Sequence, residues 1–128
     1  MRILLDTHIA LWAVTGSPRL AAEAVDAILA ADEVFVSTAT LWEIAIKHAI
    51  GKGDMPVSAA QALEAFMSAG YGLLDIKPEH AVRVEQLPPI HKDPFERLLV
   101  AQALVEPLRL ITRDASVARY ADAIMLVP

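Results

Sequence analysis

No cysteine occurs anywhere in the 128 residues, which excludes disulfides, thiolate metal sites and a cysteine nucleophile, and fits a reducing compartment. Aromatic residues are scarce at 5%, and only five glycines are present. No phosphate-cradling glycine loop emerges from them: Gly51-Lys52-Gly53 lacks the required frame and follows a helical pattern rather than a strand. No two histidines have zinc-protease spacing. No apolar run approaches the roughly 20 residues that span a bilayer. Met1–Leu5 reaches a charge at Asp6 without the apolar stretch of a secretory leader. The expectation is one cytoplasmic domain over residues 1–128, large enough for a single hydrophobic core.

Positive charge is also short. Sixteen acidic residues face 11 Lys and Arg, for a net charge of −5, the wrong sign for holding nucleic acid by bulk electrostatics. The excess of five equals the number of acids that the chain order brings toward one site, so a bound divalent ion would reverse much of the unfavourable sign locally.

What is present is an alternation of short apolar runs and helical patterns, as in βα units around a parallel sheet. Strands are expected at 2–5, 34–36, 72–76, 110–112 and 124–127. Helices are expected from Thr7 through Val14, over 17–31 with Leu20, Ala24, Ile28 and Leu29 inward, and from Ser37-Thr38 to about Ile50, where Gly51 stops it. A loop follows over 52–56. Ser58 with Gln61 forms a capping box for the next helix, which reaches Gly70. Pro78 opens another to about Leu87, Asp93-Pro94 a further one to about Val105, and a short helix follows Asp114.

In such sheets ligands bind beyond the carboxyl ends of the strands. Asp6 follows the first strand directly, Asp114 follows a later strand, and Glu43 lies in the first turns of the helix after the second strand. Asp93 and Glu96 open another helix, three apart and so on one face. Hard cations such as Mg²⁺ or Mn²⁺ take oxygen ligands and keep several waters, so a few carboxylates suffice. Capping accounts for some of these acids as well: Glu43 follows Thr40 by three, Asp93 precedes proline at a first helical position, and Asp114 precedes Ala115-Ser116. A charge at the end of a buried strand, as at Asp6, demands a partner or a metal. Lys47 lies one turn beyond Glu43 and pairs with it in the simplest reading. His8 and His91 flank the acids, and solvated or hydrogen-bonded roles are the simpler ones for both. Trp12 and Trp42 fall on apolar helix faces that suit packing or an interface. Lys92, Arg97 and Arg113 are either solvated or contacts for phosphate at the rim.

The chain resembles the PIN domain, and within it the VapC-type toxins of bacterial toxin–antitoxin pairs. The resemblance rests on Leu4-Leu5-Asp6-Thr7-His8, on Ser37 with Leu41-Trp42-Glu43-Ile44 and Lys47, on the run from His91-Lys92-Asp93-Pro94-Phe95-Glu96-Arg97 to Ala103, and on Thr112-Arg113-Asp114. It implies an α/β Rossmann-like fold with a mostly parallel sheet of four or five short strands flanked by helices. It also implies a Mg²⁺-dependent endoribonuclease (Mn²⁺ substituting) that hydrolyses RNA, forms a homodimer or hetero-oligomer, and is inhibited by a cognate antitoxin protein. Asp6, Glu43, Asp93, Glu96 and Asp114 would be catalytic, with Asp6, Glu96 and Asp114 as metal ligands. Thr7, His8, Lys92, Arg97 and Arg113 would contact substrate. The family usually has Asp where this chain has Glu96, one methylene longer. Two other functions remain open on the residues alone: a metal-dependent phosphatase, although the acid that it expects two residues after Asp6 is His8, and a non-catalytic binding module of the same fold.

Overall fold

Leu4, Leu5, Leu110 and Ile111 have no solvent exposure, and such continuous apolar strands require both faces of a sheet to be covered. In the computed structural model, which describes residues 1–51 and 55–128, they lie in adjacent strands at the centre. The elements in chain order are β1 (Arg2–Leu5), α1 (Thr7–Thr15), α2 (Ala22–Ala30), β2 (Glu33–Ser37), α3 (Thr38–Ala49), α4 (Ala59–Ser68), β3 (Gly72–Leu74), α5 (Pro78–Glu85), α6 (Pro94–Val105), β4 (Arg109–Thr112), α7 (Ala115–Ala118) and β5 (Met125–Leu126). The expected loop at 52–56 and the Gly51-Lys52-Gly53 motif fall partly outside the described residues. Among those described, no helix is long and apolar enough to cross a membrane.

All five strands are parallel, in the order β3-β2-β1-β4-β5. The sheet grows outward in both directions from β1, so the strand order reverses between β1 and β4, the place where open α/β sheets form a crevice. Period-two alternation divides the core. Ile3 and Leu5 of β1 pack with Val36, Ile44, Ala62 and Phe66, whereas Leu4 packs with Leu99, Val100, Ala103, Leu110 and Val117. Ala10, Ala39 and Ala101 are buried as well, and small side chains let helices sit close to the strands.

Three expectations need correction. The helix begins at Ala22 rather than at 17–18, because the Ser17 hydroxyl accepts the Arg19 amide at 3.2 Å and the Ser17 carbonyl accepts the Leu20 amide, so Ser-Pro is used in a local turn. Leu29 is not inward but 80% exposed; α2 meets the core through Ala24, Ala27 and Ile28, and Leu29 lies about 100° further round. The strands expected at 72–76 and 124–127 are shorter, Gly72–Leu74 and Met125–Leu126. The capping box of Ser58 and Gln61 and the Asp93 cap before Pro94 are present.

Leu110→Ala, in the central pair of strands, is expected to lose roughly 2–5 kcal/mol by transfer and cavity terms together. Leu29→Ala should stay within about 0.5 kcal/mol of the parent. Urea denaturation of both variants checks the assignment of the buried face of α2.

Candidate active site

Parallel strands end on one edge, where α1 and α7 begin directly after β1 and β4, and the chain that follows α5 brings the start of α6 to the same pocket. Three of the acids cap these helices. Asp6 Oδ1 accepts the Ile9 amide at 3.0 Å to start α1. Asp93 Oδ1 accepts the amides of Phe95 and Glu96 to start α6. Asp114 Oδ1 accepts those of Ser116 and Val117 to start α7. In each case one carboxylate oxygen serves the helix and the second is left for other work. All three acids, with Glu43 and Glu96, line one pocket of about 380 Å³ that also includes His8, Lys47, His91 and Arg113.

Asp6 is 3% exposed. Its Oδ2 receives the Thr112 hydroxyl at 2.6 Å, a bond from the end of β4 to the end of β1. Burial raises its pKa above the usual carboxylate range, against the lowering effect of the Thr112 and Ile9 bonds. Glu43 is 2% exposed and stands in the second turn of α3, whose cap is Ser37, so the capping box suggested by Thr40 does not form. Its Oε1 receives the Thr7 hydroxyl at 2.7 Å, Thr7 lies 3.1 Å from the Thr40 hydroxyl, and its Oε2 meets Lys47 Nζ at 2.5 Å. The favourable contact with Glu43 outweighs partial burial and raises the Lys47 pKa.

Asp114 Oδ2 takes a bond from His91 Nε2 at 2.8 Å, while His91 Nδ1 accepts the Asp93 amide at 3.0 Å. That second bond places the ring proton on Nε2 and ties the caps of α6 and α7 together. Burial pushes the Asp114 pKa up, but the bonds from His91, Val117 and Ser116 prevail and hold it low. Glu96 is the exception. Its Oε2 is buried without a hydrogen-bond partner, and burial, followed by repulsion from Asp6, Glu43, Asp93 and Asp114, raises its pKa to about 8.

The structure therefore brings together all five expected acids, along with His8 and Arg113. It does not bring three other expected residues to the pocket as substrate contacts. Thr7 is buried, and its hydroxyl is used in positioning Glu43. Arg97 follows Glu96 by one residue and so faces away; its guanidinium donates to the carbonyls of Val84, Leu87 and Pro88 and to the Tyr120 hydroxyl, lashing α5 to α6 and the chain after α7. Lys92 is exposed and does not line the pocket. Sequence reasoning missed Thr112 as the partner of Asp6 and undervalued His91. The first was visible only as Thr112-x-Asp114 at a strand end, and the second as a histidine two residues before a cap.

Five carboxylates face two permanent cations, Lys47 and Arg113. The donor set is oxygen-rich and suits a hard divalent ion that keeps part of its water shell. Among the described residues no three acidic or histidine side chains converge closely enough to enclose an ion as they stand. Most of their oxygens are already hydrogen-bonded, and the orphaned Oε2 of Glu96 is the one buried side-chain oxygen of the pocket that lacks a partner.

The raised pKa of Glu96 fixes the sign of a pH effect. A carboxyl that titrates near 8 in the folded state and near its ordinary 4.5 when unfolded favours the folded state fully below the lower value. That contribution is lost as pH rises through the interval and is gone above about 8. In EDTA, Glu96→Gln is expected to melt above the parent protein at pH 8.5, by at least about 1 kcal/mol, with the difference shrinking toward pH 5. Thermal melts across that range measure it.

A model of the PIN domain matches residues 3–123. Ribonuclease VapC22 of Mycobacterium tuberculosis (strain ATCC 25618 / H37Rv) is 29% identical over 113 residues, covering 88% of this chain and 86% of that protein. Among solved structures, VapBC2 from Rickettsia felis, bound to a DNA fragment from its promoter, superposes with a TM-score of 0.70 at 16% identity, over 99% of this chain and 98% of that one. A toxin-antitoxin complex from Klebsiella pneumoniae gives 0.67 at 21% identity, over 96% and 95%. A match across nearly the whole sheet, including the strand ends that carry the acids, leaves one assignment: the chain belongs to the PIN domain family.

Proposed function

We propose that residues 1–128 act as one metal-dependent endoribonuclease domain, the toxin of a toxin–antitoxin pair. The observation that carries this reading is the pocket of five carboxylates at the topological switch point, one of them with a buried oxygen that has no partner. So much negative charge repels a phosphodiester, so the site suits a polyanion only after a cation has entered. Asp6, Glu96 and Asp114 would hold Mg²⁺ or Mn²⁺, which when bound supplies Lewis-acid stabilisation of charge on the phosphoryl oxygens and a water of lowered pKa. The similarity to Ribonuclease VapC22 supports RNA as the polymer.

The remaining work falls to the chain itself. Thr112 and the Ile9 amide fix both oxygens of Asp6, so its position is set before any ligand arrives. Thr7 and Lys47 do the same for Glu43, which is placed to orient a water at the pocket floor. His91 steadies Asp114. Glu96, whose Oε2 is buried without a partner, would in its ionised form help to hold the ion. Arg113 stands at the rim, where it meets a phosphate. No side-chain nucleophile is required.

Asp6→Asn should lower cleavage of a fluorogenic RNA at least about a hundredfold, the scale of losing a key electrostatic group. Glu96→Gln should also be impaired, whereas Glu96→Asp retains activity. Wild-type cleavage should need Mg²⁺ or Mn²⁺ and stop in EDTA. Cleavage that persists in EDTA, or in Asp6→Asn, would remove this mechanism.

A cognate antitoxin protein, and a second copy of the chain, are the proposed partners, and the toxin-antitoxin complexes among the structural neighbours support the first. Trp42 is 58% exposed, packs edge-on against Phe95 of α6, and shares one face of α3 with the exposed Ile46 and, at its C-cap, Ile50. Trp42→Glu is expected to abolish co-purification with the antitoxin while the free protein still cleaves RNA. Undiminished co-purification would move the interface elsewhere.

A further inference from the structure

Beside the acid pocket lies a second depression of about 510 Å³, lined by His8, Trp12, Thr15, Ser17, Arg19, Pro56 and Arg113. His8 and Arg113 line both, so the two form one continuous path. Their chemistry is opposite. The second depression has two arginines, two hydroxyls and an aromatic ring, and among the described residues no carboxylate in its lining. In a chain of net charge −5, an acid-free stretch that carries two guanidinium groups adjoining the most acidic spot is a local reversal of sign. Neither Arg19 nor Arg113 has a carboxylate partner among the described residues. The Arg113 guanidinium lies 5.2 Å from the centroid of the Trp12 ring, and the His8 ring lies 5.8 Å from it on a tilted plane. A cation held over an indole is oriented without being neutralised.

We propose that this groove is a nucleotide subsite: it holds the unit of single-stranded RNA next to the scissile phosphate. Arg113 and Arg19 contact successive backbone phosphates, and the base packs against the Arg113–Trp12 pair. Trp12 is a positioning and stacking residue, remote from the reacting atoms. The occupant is a polyanion with flat apolar rings, because the lining supplies cations and an aromatic together, and base–aromatic stacking with backbone contacts is the usual way to hold a single strand. The continuity through His8 and Arg113 sets the strand's path, with one nucleotide over Trp12 when its neighbouring phosphate sits among the carboxylates. The groove thereby adds to the ribonuclease reading, on which it rests, a site where sequence or conformation of the RNA is selected.

The test uses the full chain carrying Asp6→Asn, so that RNA survives, and Trp42→Phe, so that Trp12 is the one tryptophan. A fluorescent single-stranded RNA of mixed sequence, with Mg²⁺, is titrated at several salt concentrations. Binding should quench Trp12. Arg19→Gln with Arg113→Gln should weaken binding about tenfold at low salt and flatten the dependence of log K on log salt by about 0.7 per lost phosphate contact. Arg19→Lys with Arg113→Lys should restore most of the slope, and Arg2→Gln, at the far end of β1, should leave both unchanged. In the parent with Asp6 intact, Arg19→Gln alone, at a residue that lines only the groove, should raise KM with kcat within about twofold. Wild-type affinity and slope in the Gln pair would overturn the subsite while leaving the ribonuclease reading in place. Loss of antitoxin binding with RNA binding intact would overturn it too, assigning the groove to a protein chain. RNA that the parent neither binds nor cleaves would overturn both.

Discussion

The bond from the Thr112 hydroxyl to Asp6 Oδ2 joins the two strands between which the sheet reverses its order. Moving a carboxylate out of water costs several kcal/mol even after relaxation. Asp6 offsets part of that cost through neutral donors: a hydroxyl from β4 takes one oxygen, the Ile9 amide takes the other, and the N-terminus of α1 adds its positive pole. Each hydrogen bond to a charged group recovers on the order of 1.5–3 kcal/mol. The Asp6 amide, bonded to the Ile111 carbonyl, carries the β1–β4 pairing one residue past the strand itself. The sheet and the site thus share their central residue, and neither can shift independently of the other.

Around Asp6 the same rule repeats with different partners. Hydroxyls, amides and a histidine orient the acids, and only Glu43 has a direct cationic partner, Lys47. Neutral donors fix position while leaving the field negative, whereas arginines at these places would have fixed it by cancelling the field. The raised pKa of Glu96 is the visible sign of this arrangement: burial first, and then repulsion from the other four acids, keep it mostly protonated at neutral pH. Under the proposed metal-dependent reading, such a pocket would favour a compact divalent charge over monovalent salt, because one divalent ion offsets several carboxylates at once.

Period and punctuation made most of this legible beforehand. The apolar runs placed all five strands, and the acids at strand ends and helix starts placed the site, because both signals depend on local order along the chain. The failures have one physical source, competition among partners that are distant in sequence. Ser17-Pro18 satisfies the local rule for a helix start as well as the rule for a turn, and only packing of Ala24, Ala27 and Ile28 decides between them. Arg97 looks like a phosphate contact from its neighbours, yet three carbonyls around the α5–α6 junction consume it. Thr7 and Thr112 look like ordinary residues beside acids. Their roles exist only because parallel pairing brings β1, β4 and α3 within hydrogen-bonding distance.

Capping and function, which compete as explanations when only sequence is considered, are compatible in this fold for a geometric reason. A carboxylate has two oxygens, and an N-cap uses one. Asp6, Asp93 and Asp114 each spend Oδ1 on the helix that follows, and that bond fixes the rotation of the whole group. Parallel strands put the starts of α1 and α7 on one edge, and the segment after α5 brings the start of α6 to the same pocket, so the second oxygens arrive in a common volume with their directions already set. Each cap also lends the pocket part of a helix dipole, which steadies negative charge that would otherwise be harder to gather. Glu96 lies in the first turn of α6 but caps nothing, and its longer side chain reaches the pocket with a buried oxygen that has no hydrogen-bond partner. The acids that build the frame are therefore the rigid ones, and the adjustable acid is the residue that the frame does not use.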